Sequence, residues 1–202
     1  MCKLLLLVIA SFTLTNLCGQ LTTLPGKPRI LTKKERDRDE RNQNCFYKER
    51  YEANQRLQFY PFNKASEIKL VSFDKPDSVI IGGELPMKNG SIDYSKIREI
   101  KTISRSQIDT LTDILFNRNY GGRFYSFSKI NCYYPRNAIL FVNKRGNTFA
   151  FIEICFECSG YRLSSNKIKA GDFCNQKYDY LKDFFAANGI ELGVKKEDSA
   201  EE

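Results

Sequence analysis

The sequence predicts an α+β fold, an antiparallel sheet with two main helices packed on one face. Three observations lead there. Read along the chain, the hydrophobic pattern runs β-β-β-α-β-β-β-α, without the regular strand–helix alternation of a parallel sheet. Fifteen Phe and eleven Tyr with no Trp make a ring-rich composition suited to strands. Each helical segment carries a single apolar stripe, so each has one face to bury. With 202 residues and 42% apolar content, the chain reads as one domain that can bury its own core.

In chain order, Met1-Cys2-Lys3 is a short positive start and Leu4 to Ala10 an unbroken apolar run. Leu17-Cys18-Gly19-Gln20 then supplies a small residue for cleavage. This is the pattern of an export signal over residues 1–19, too short and wrongly flanked for a membrane span. Secretion or periplasmic residence is the expectation. A lipid anchor at Cys18 is the alternative, although Leu17 is bulkier than the residue that usually precedes a lipidated cysteine. No later apolar stretch reaches spanning length, so no transmembrane span is expected. Residues 20–58 form a charged N-terminal segment: an extended leader, then a mixed-sign run from Lys33 to Arg41 expected to be a solvated surface helix. Tyr60-Pro61-Phe62-Asn63 turns into the domain proper, residues 59–193.

Glu67 to Phe73 alternates, with Ile68, Leu70 and Ser72 on one face and Lys69, Val71 and Phe73 on the other. Val79 to Ile81 is a short β-branched run, Asn89-Gly90 a turn, and Glu99 to Ile103 a third strand. Ser104 and Gln107 form a capping-box pattern. Ile108, Leu111 and Leu115 continue it as a buried helical stripe, which Asn119, Gly121 and Gly122 end. Ala138 to Val142 and Thr148 to Phe156 are strands joined by a Gly-bearing loop, and Tyr161 to Ser164 adds another. A second helix opens near Asp172 or Asn175 with the stripe Cys174, Tyr178, Leu181 and Phe185. Asn188-Gly189 closes it as a left-handed cap. The tail, residues 194–202, is expected to be disordered.

The chain has no histidine. That removes Ser-His-Asp and Cys-His catalysis in their usual forms, and every His-containing zinc or haem motif. A non-enzymatic role gains weight accordingly. Net charge is +8; setting aside Lys3 leaves +7, and setting aside residues 194–202 (two Lys against four acids, −2) gives a body of +9. Such a body attracts an anionic envelope component or an acidic protein. The basic residues form no ladder interleaved with aromatics, so nucleic acid is not an expected partner.

Seven cysteines, less Cys2 and Cys18, leave Cys45, Cys132, Cys155, Cys158 and Cys174. If the hairpin pairs Val142 with Thr148, partner numbers sum to 290 and Cys132 falls opposite Cys158, within disulfide reach. Cys174, on the inward stripe of the second helix, is expected at the same end of the sheet, which leaves Cys45 as the odd cysteine. Three chemistries suit the cluster Cys132, Cys155, Cys158 and Cys174. Disulfides fit an exported chain. A four-thiolate zinc site is the one cofactor reading, since Cys155-Phe156-Glu157-Cys158 looks like one zinc knuckle, but a second is missing. A redox dithiol would lack the helix N-terminus that activates thioredoxin-like pairs. Glu153, Cys155 and Glu157 alternate onto one strand face, as a carboxylate pair for acid–base work or as rim residues beside Arg136 or Arg162. The Tyr133-Tyr134-Pro135-Arg136-Asn137 turn either presents Arg136 and Asn137 to a ligand or forms a cis-proline corner packed by rings.

The run Cys132-Tyr133-Tyr134-Pro135-Arg136-Asn137-Ala138-Ile139, a Gly-bearing loop, and Ile152-Glu153-Ile154-Cys155-Phe156-Glu157-Cys158 together resemble a group of exported, uncharacterised bacterial proteins. These carry a Cys-x-x-Pro-Arg-His/Asn element followed by Ile-Cys-Phe-x-Cys. The resemblance spans Cys132 to Gly189 and implies export without implying an activity. Where relatives carry His, this chain has Asn137, which implies a structural hydrogen-bonding role at that position. The sequence thus points to an exported non-enzymatic binding or structural module of the bacterial envelope. A thiol-based metal or redox protein is the alternative, and a hydrolase working through Glu153 and Glu157 a third.

Overall fold

The computed structural model describes residues 30–74, 84–125 and 132–195. The expected export signal, the run Val79–Ile81 and residues 196–202 lie outside them. In chain order the elements are α1 (Lys33–Gln43), β1 (Cys45–Tyr47), α2 (Ala53–Arg56), β2 (Glu67–Phe73), β3 (Met87–Lys88), β4 (Ser91–Ile92), β5 (Ile97–Thr102), α3 (Arg105–Asn117), β6 (Arg118–Tyr120), β7 (Asn137–Val142), β8 (Thr148–Cys155), β9 (Gly160–Leu163) and α4 (Lys177–Ala187).

Five strands form one antiparallel sheet in the order β5-β2-β7-β8-β9. The central strand β7 is buried along its whole length, which explains why Ala138 to Val142 is an uninterrupted apolar run rather than an alternating one. The alternation read in β2 holds. Ile68 and Leu70 join Ile139, Phe141, Ile152 and Ile154 against Leu111 and Leu115 of α3 and Leu181 and Phe185 of α4. Val71 and Phe73 turn to the other face, with Ala138 and Leu140, beneath Leu85 and Ile92. Both main helices therefore lie on one face, and the segment around Leu85 covers part of the other. The α3 cap is the predicted reciprocal box: Ser104 Oγ accepts from the Gln107 amide and Gln107 Oε1 from the Ser104 amide. Gly189 closes α4 with φ +76°.

Several expectations are corrected. The charged segment 33–58 is part of the compact unit, which starts at Lys33. Asp39 of α1, expected on a solvated face, is 1% exposed and accepts from the Tyr125 amide at 2.8 Å. Strands β1 and β6, three residues each, pair with one another outside the main sheet; so few residues carry no readable alternation. Cys174 precedes α4 rather than lying on it. Val194, assigned to a disordered tail, is 4% exposed in the main core. Its segment is docked by Glu99, which accepts from the amides of Glu191 and Leu192 at 3.0–3.2 Å. Among the described residues the cis peptide bond is Tyr60–Pro61, so the corner at Pro135 is trans.

Candidate functional site

The five downstream cysteines resolve into two disulfides and one thiol. Cys132 bonds Cys158, and Cys45 bonds Cys174. The first pair follows from the hairpin: Val142 faces Thr148, a bulge shifts the next pairs by one, and the two cysteines meet beyond the strand ends. The second pair overturns the expectation for Cys45. That residue ends the turn after α1 and opens β1, and its amide donates to Gln176 Oε1 at 2.7 Å, which holds it beside the loop that carries Cys174. Cys155, not Cys45, is the odd cysteine. Its Sγ accepts from the Tyr134 amide at 3.3 Å, and burial pushes the thiol above its ordinary range, against the amides of Tyr134, Cys158 and Glu157, which favour the thiolate. The four sulfurs expected to meet as one cluster are thus divided. Among the described residues no group of three or more Cys, Asp or Glu is arranged to hold a metal.

Glu153 is the most tightly held polar group of the sheet. On the face away from the helices, with 0% exposure, its carboxylate accepts four hydrogen bonds. The Tyr133 hydroxyl donates at 2.7 Å and the Leu85 amide at 2.6 Å. Arg162 donates from Nε at 3.1 Å and Nη2 at 3.0 Å, a bidentate grip from the neighbouring strand. Hydrogen bonding to Glu153 raises the Arg162 guanidinium further, and burial followed by the bond to Glu153 drives the Tyr133 phenol well above its usual range. A carboxylate with this many donors has no lone pair aimed at solvent, so it anchors the Tyr133 turn and the Leu85 segment to the sheet. Glu157 lies past the end of β8 in the turn and is exposed, so strand alternation does not bring it to Glu153 as a carboxylate pair.

Asn137, expected as a ligand contact, is 1% exposed and donates from Nδ2 to the Leu192 carbonyl at 3.0 Å. Arg136 beside it is half-buried and packs so closely under Gly193 that a Cβ there would sit 2.8 Å from the Arg136 Cβ. Both residues serve the docked C-terminal segment.

A cleft lies elsewhere, with a cavity volume of about 170 Å³. One rim is Arg50 and Tyr51. The amides of both donate to Asn117 Oδ1, at 3.0 and 3.2 Å, and Asn117, fully buried at the end of α3, also donates to the Tyr51 carbonyl. The opposite rim runs from Lys169 to Asp172. It is held by Lys169 N–H on the Tyr60 carbonyl at 2.9 Å and by Asp172 N–H on Asn119 Oδ1 at 3.0 Å. Phe59 and Phe116, in contact with centroids 4.9 Å apart, line it between the rims. Gly171 has φ +65° and lies so close to the Leu115 carbonyl that a Cβ would stand 2.0 Å from that oxygen; only glycine fits. The same carbonyl accepts from Nζ of Lys177 at 2.6 Å. Lys177 is therefore a fully buried amine that caps the C-terminal end of α3. Desolvation pulls it down to about 7, opposed by Asp172 and assisted by Arg118.

Sequence reasoning missed the cleft because its residues come from four separated stretches with no shared spacing. Among the described residues no helix is long and apolar enough to cross a membrane. Compared with family models, with curated proteins and with solved structures, the chain has no match in any of the three.

Proposed function

We propose that the protein is an exported, non-enzymatic binding module of the bacterial cell envelope, held in shape by its disulfides and drawn by its positive body to an anionic envelope component. The observation that carries this reading is the state of the sulfurs. Four of the five downstream cysteines are paired, one pair fastening the loop before α4 to β1 and the other closing the β7–β8 hairpin beyond its strand ends, and the fifth is buried. Disulfides of this structural kind belong to oxidising compartments. Glu153, the best placed acid for catalysis, is fully engaged by four donors, which favours binding over chemistry. The test is sedimentation with phosphatidylglycerol vesicles against phosphatidylcholine vesicles at low and high salt. Salt-sensitive binding to the anionic vesicles alone is expected; equal behaviour with both sinks the lipid form of the reading, and the same result with an anionic wall polymer sinks the whole of it.

One observation favours a thiol-exchange reading as second. Cys155 precedes the disulfide cysteine Cys158 by three residues and receives that residue's own amide. Attack by the Cys155 thiolate on Cys158 Sγ would form a Cys155–Cys158 bond and release Cys132 as thiolate, with no external oxidant. Trapping of a Cys132 thiol by alkylation of the folded protein supports it, and its absence over hours of incubation at mildly alkaline pH refutes it.

A further inference from the structure

We infer that the cleft between Arg50–Tyr51 and Lys169–Asp172 binds a small aromatic carboxylate that also carries a hydrogen-bond donor. The inference deepens the binding-module reading and rests on it.

The cleft is built rather than left over. Each rim is fixed by a buried asparagine, Asn117 for one and Asn119 for the other, and neither amide reaches solvent itself. The Cys45–Cys174 disulfide ties the chain just before the first rim to the chain just after the second. Gly171 is the only residue type that its backbone and the Leu115 carbonyl admit. Both margins are thereby held in place from inside, which preorganises the space between them.

Its lining selects the ligand. Arg50 on one rim and Lys169 on the other are exposed cations, and among the described residues neither has a carboxylate within ion-pair distance. Two unneutralised cations flanking one mouth call for an anion. The wall between them is aromatic: Phe116 is buried, Phe59 half-buried, and Tyr51 meets Phe59 edge-on with centroids 4.9 Å apart. Such a wall takes a flat ring better than a phosphate or a sugar. Asp172 adds one acid at the Gly171 end, which suits a hydroxyl or ammonium on the far side of the ligand from its carboxylate. The volume of about 170 Å³ lies below the range of about 300–1,000 Å³ typical of drug-sized sites, and restricts the ligand to roughly ten non-hydrogen atoms.

The experiment is an amide chemical-shift titration of the folded, oxidised protein with 4-hydroxyphenylacetate. Phenylacetate lacks the donor, 4-hydroxyphenylacetamide lacks the charge and acetate lacks the ring, so these three serve as comparators. Saturable shifts are expected at the amides of Tyr51, Phe59, Asn119 and Gly171, with each comparator weaker. Arg50→Gln and Lys169→Gln, both at exposed positions, should each weaken binding about three- to tenfold with the fold unchanged. No saturable shift in the cleft overturns the inference, as does equal affinity for the neutral amide, or unchanged affinity in both variants. Shifts in the cleft without envelope binding overturn the envelope reading alone; envelope binding without these shifts overturns the cleft alone.

Discussion

Replacing Glu153 by Gln keeps the shape of the side chain but removes its charge and turns one acceptor oxygen into a donor. All four groups facing it donate: the Tyr133 hydroxyl, the Leu85 amide, and Nε and Nη2 of Arg162. At least one of them must then face an N–H, and the guanidinium loses the bidentate partner it grips. Removing one member of a fully buried ion pair costs about 3–5 kcal/mol. Arg162 is 37% exposed and reaches Glu84 at 3.4 Å, so solvent and that second acid recover part of the loss. The expected destabilisation is about 2–4 kcal/mol. Urea unfolding followed by circular dichroism, with the disulfides intact, reads it directly. The double variant Glu153→Gln/Arg162→Gln should fall short of additivity by about 1–2 kcal/mol, because the two share one interaction. A loss under about 1 kcal/mol for Glu153→Gln, or strict additivity, would refute the assignment of this carboxylate as an anchor.

Two further outcomes follow from the neighbourhood of α3. Lys177 titrates near 10.5 when unfolded and at about 7 when folded, so between these values the unfolded chain binds the extra proton. Stability should therefore rise with pH from about 7 to 9, by up to about 1.4 kcal/mol per unit, with the penalty fully present below 7. Lys177→Met should flatten that slope in urea midpoints taken between pH 7 and about 8, before Cys155 ionises appreciably in the unfolded chain and opposes it; an unchanged slope assigns the pH dependence elsewhere. Gly171→Ala puts a Cβ into the Leu115 carbonyl and should lower stability by at least about 2 kcal/mol in thermal melts. An unaltered melting temperature would show that the Lys169–Asp172 rim is not held as described.

Much of the sheet was legible because its signals are local. The alternation of Glu67 to Phe73, the apolar run Ala138 to Val142 and the box at Ser104 and Gln107 each need only neighbours in sequence. The Cys132–Cys158 pair was legible for the same reason, since hairpin register carries it across 26 positions. What failed was non-local. Cys45 and Cys174 are 129 positions apart and are brought together by strands of three residues, too short to show a period. With one cysteine displaced from the expected set, Cys155 became the unpaired one. The face occupied by Glu153 could be read from alternation, but its burial depends on the Leu85 segment packing over it. Asn137 and Arg136 sit in a turn that looks open in sequence and is closed by the returning chain at Leu192 and Gly193. The cleft is harder still, because Arg50, Phe59, Asn119 and Asp172 share no spacing and meet only once the fold is complete.

By chain entropy alone, closing the long loop between Cys45 and Cys174 stabilises the fold by about 5 kcal/mol and closing the shorter one by about 3.5 kcal/mol. The binding-module reading therefore stands on which sulfurs are joined. Peptide mapping of the purified protein by mass spectrometry, alkylated first when folded and again after unfolding without reductant, decides the matter. Cys45 should be recovered linked to Cys174 and Cys132 linked to Cys158, with Cys155 taking the label only after unfolding. A Cys155–Cys158 or Cys155–Cys174 link, or rapid labelling of Cys155 in the native protein, would contradict it.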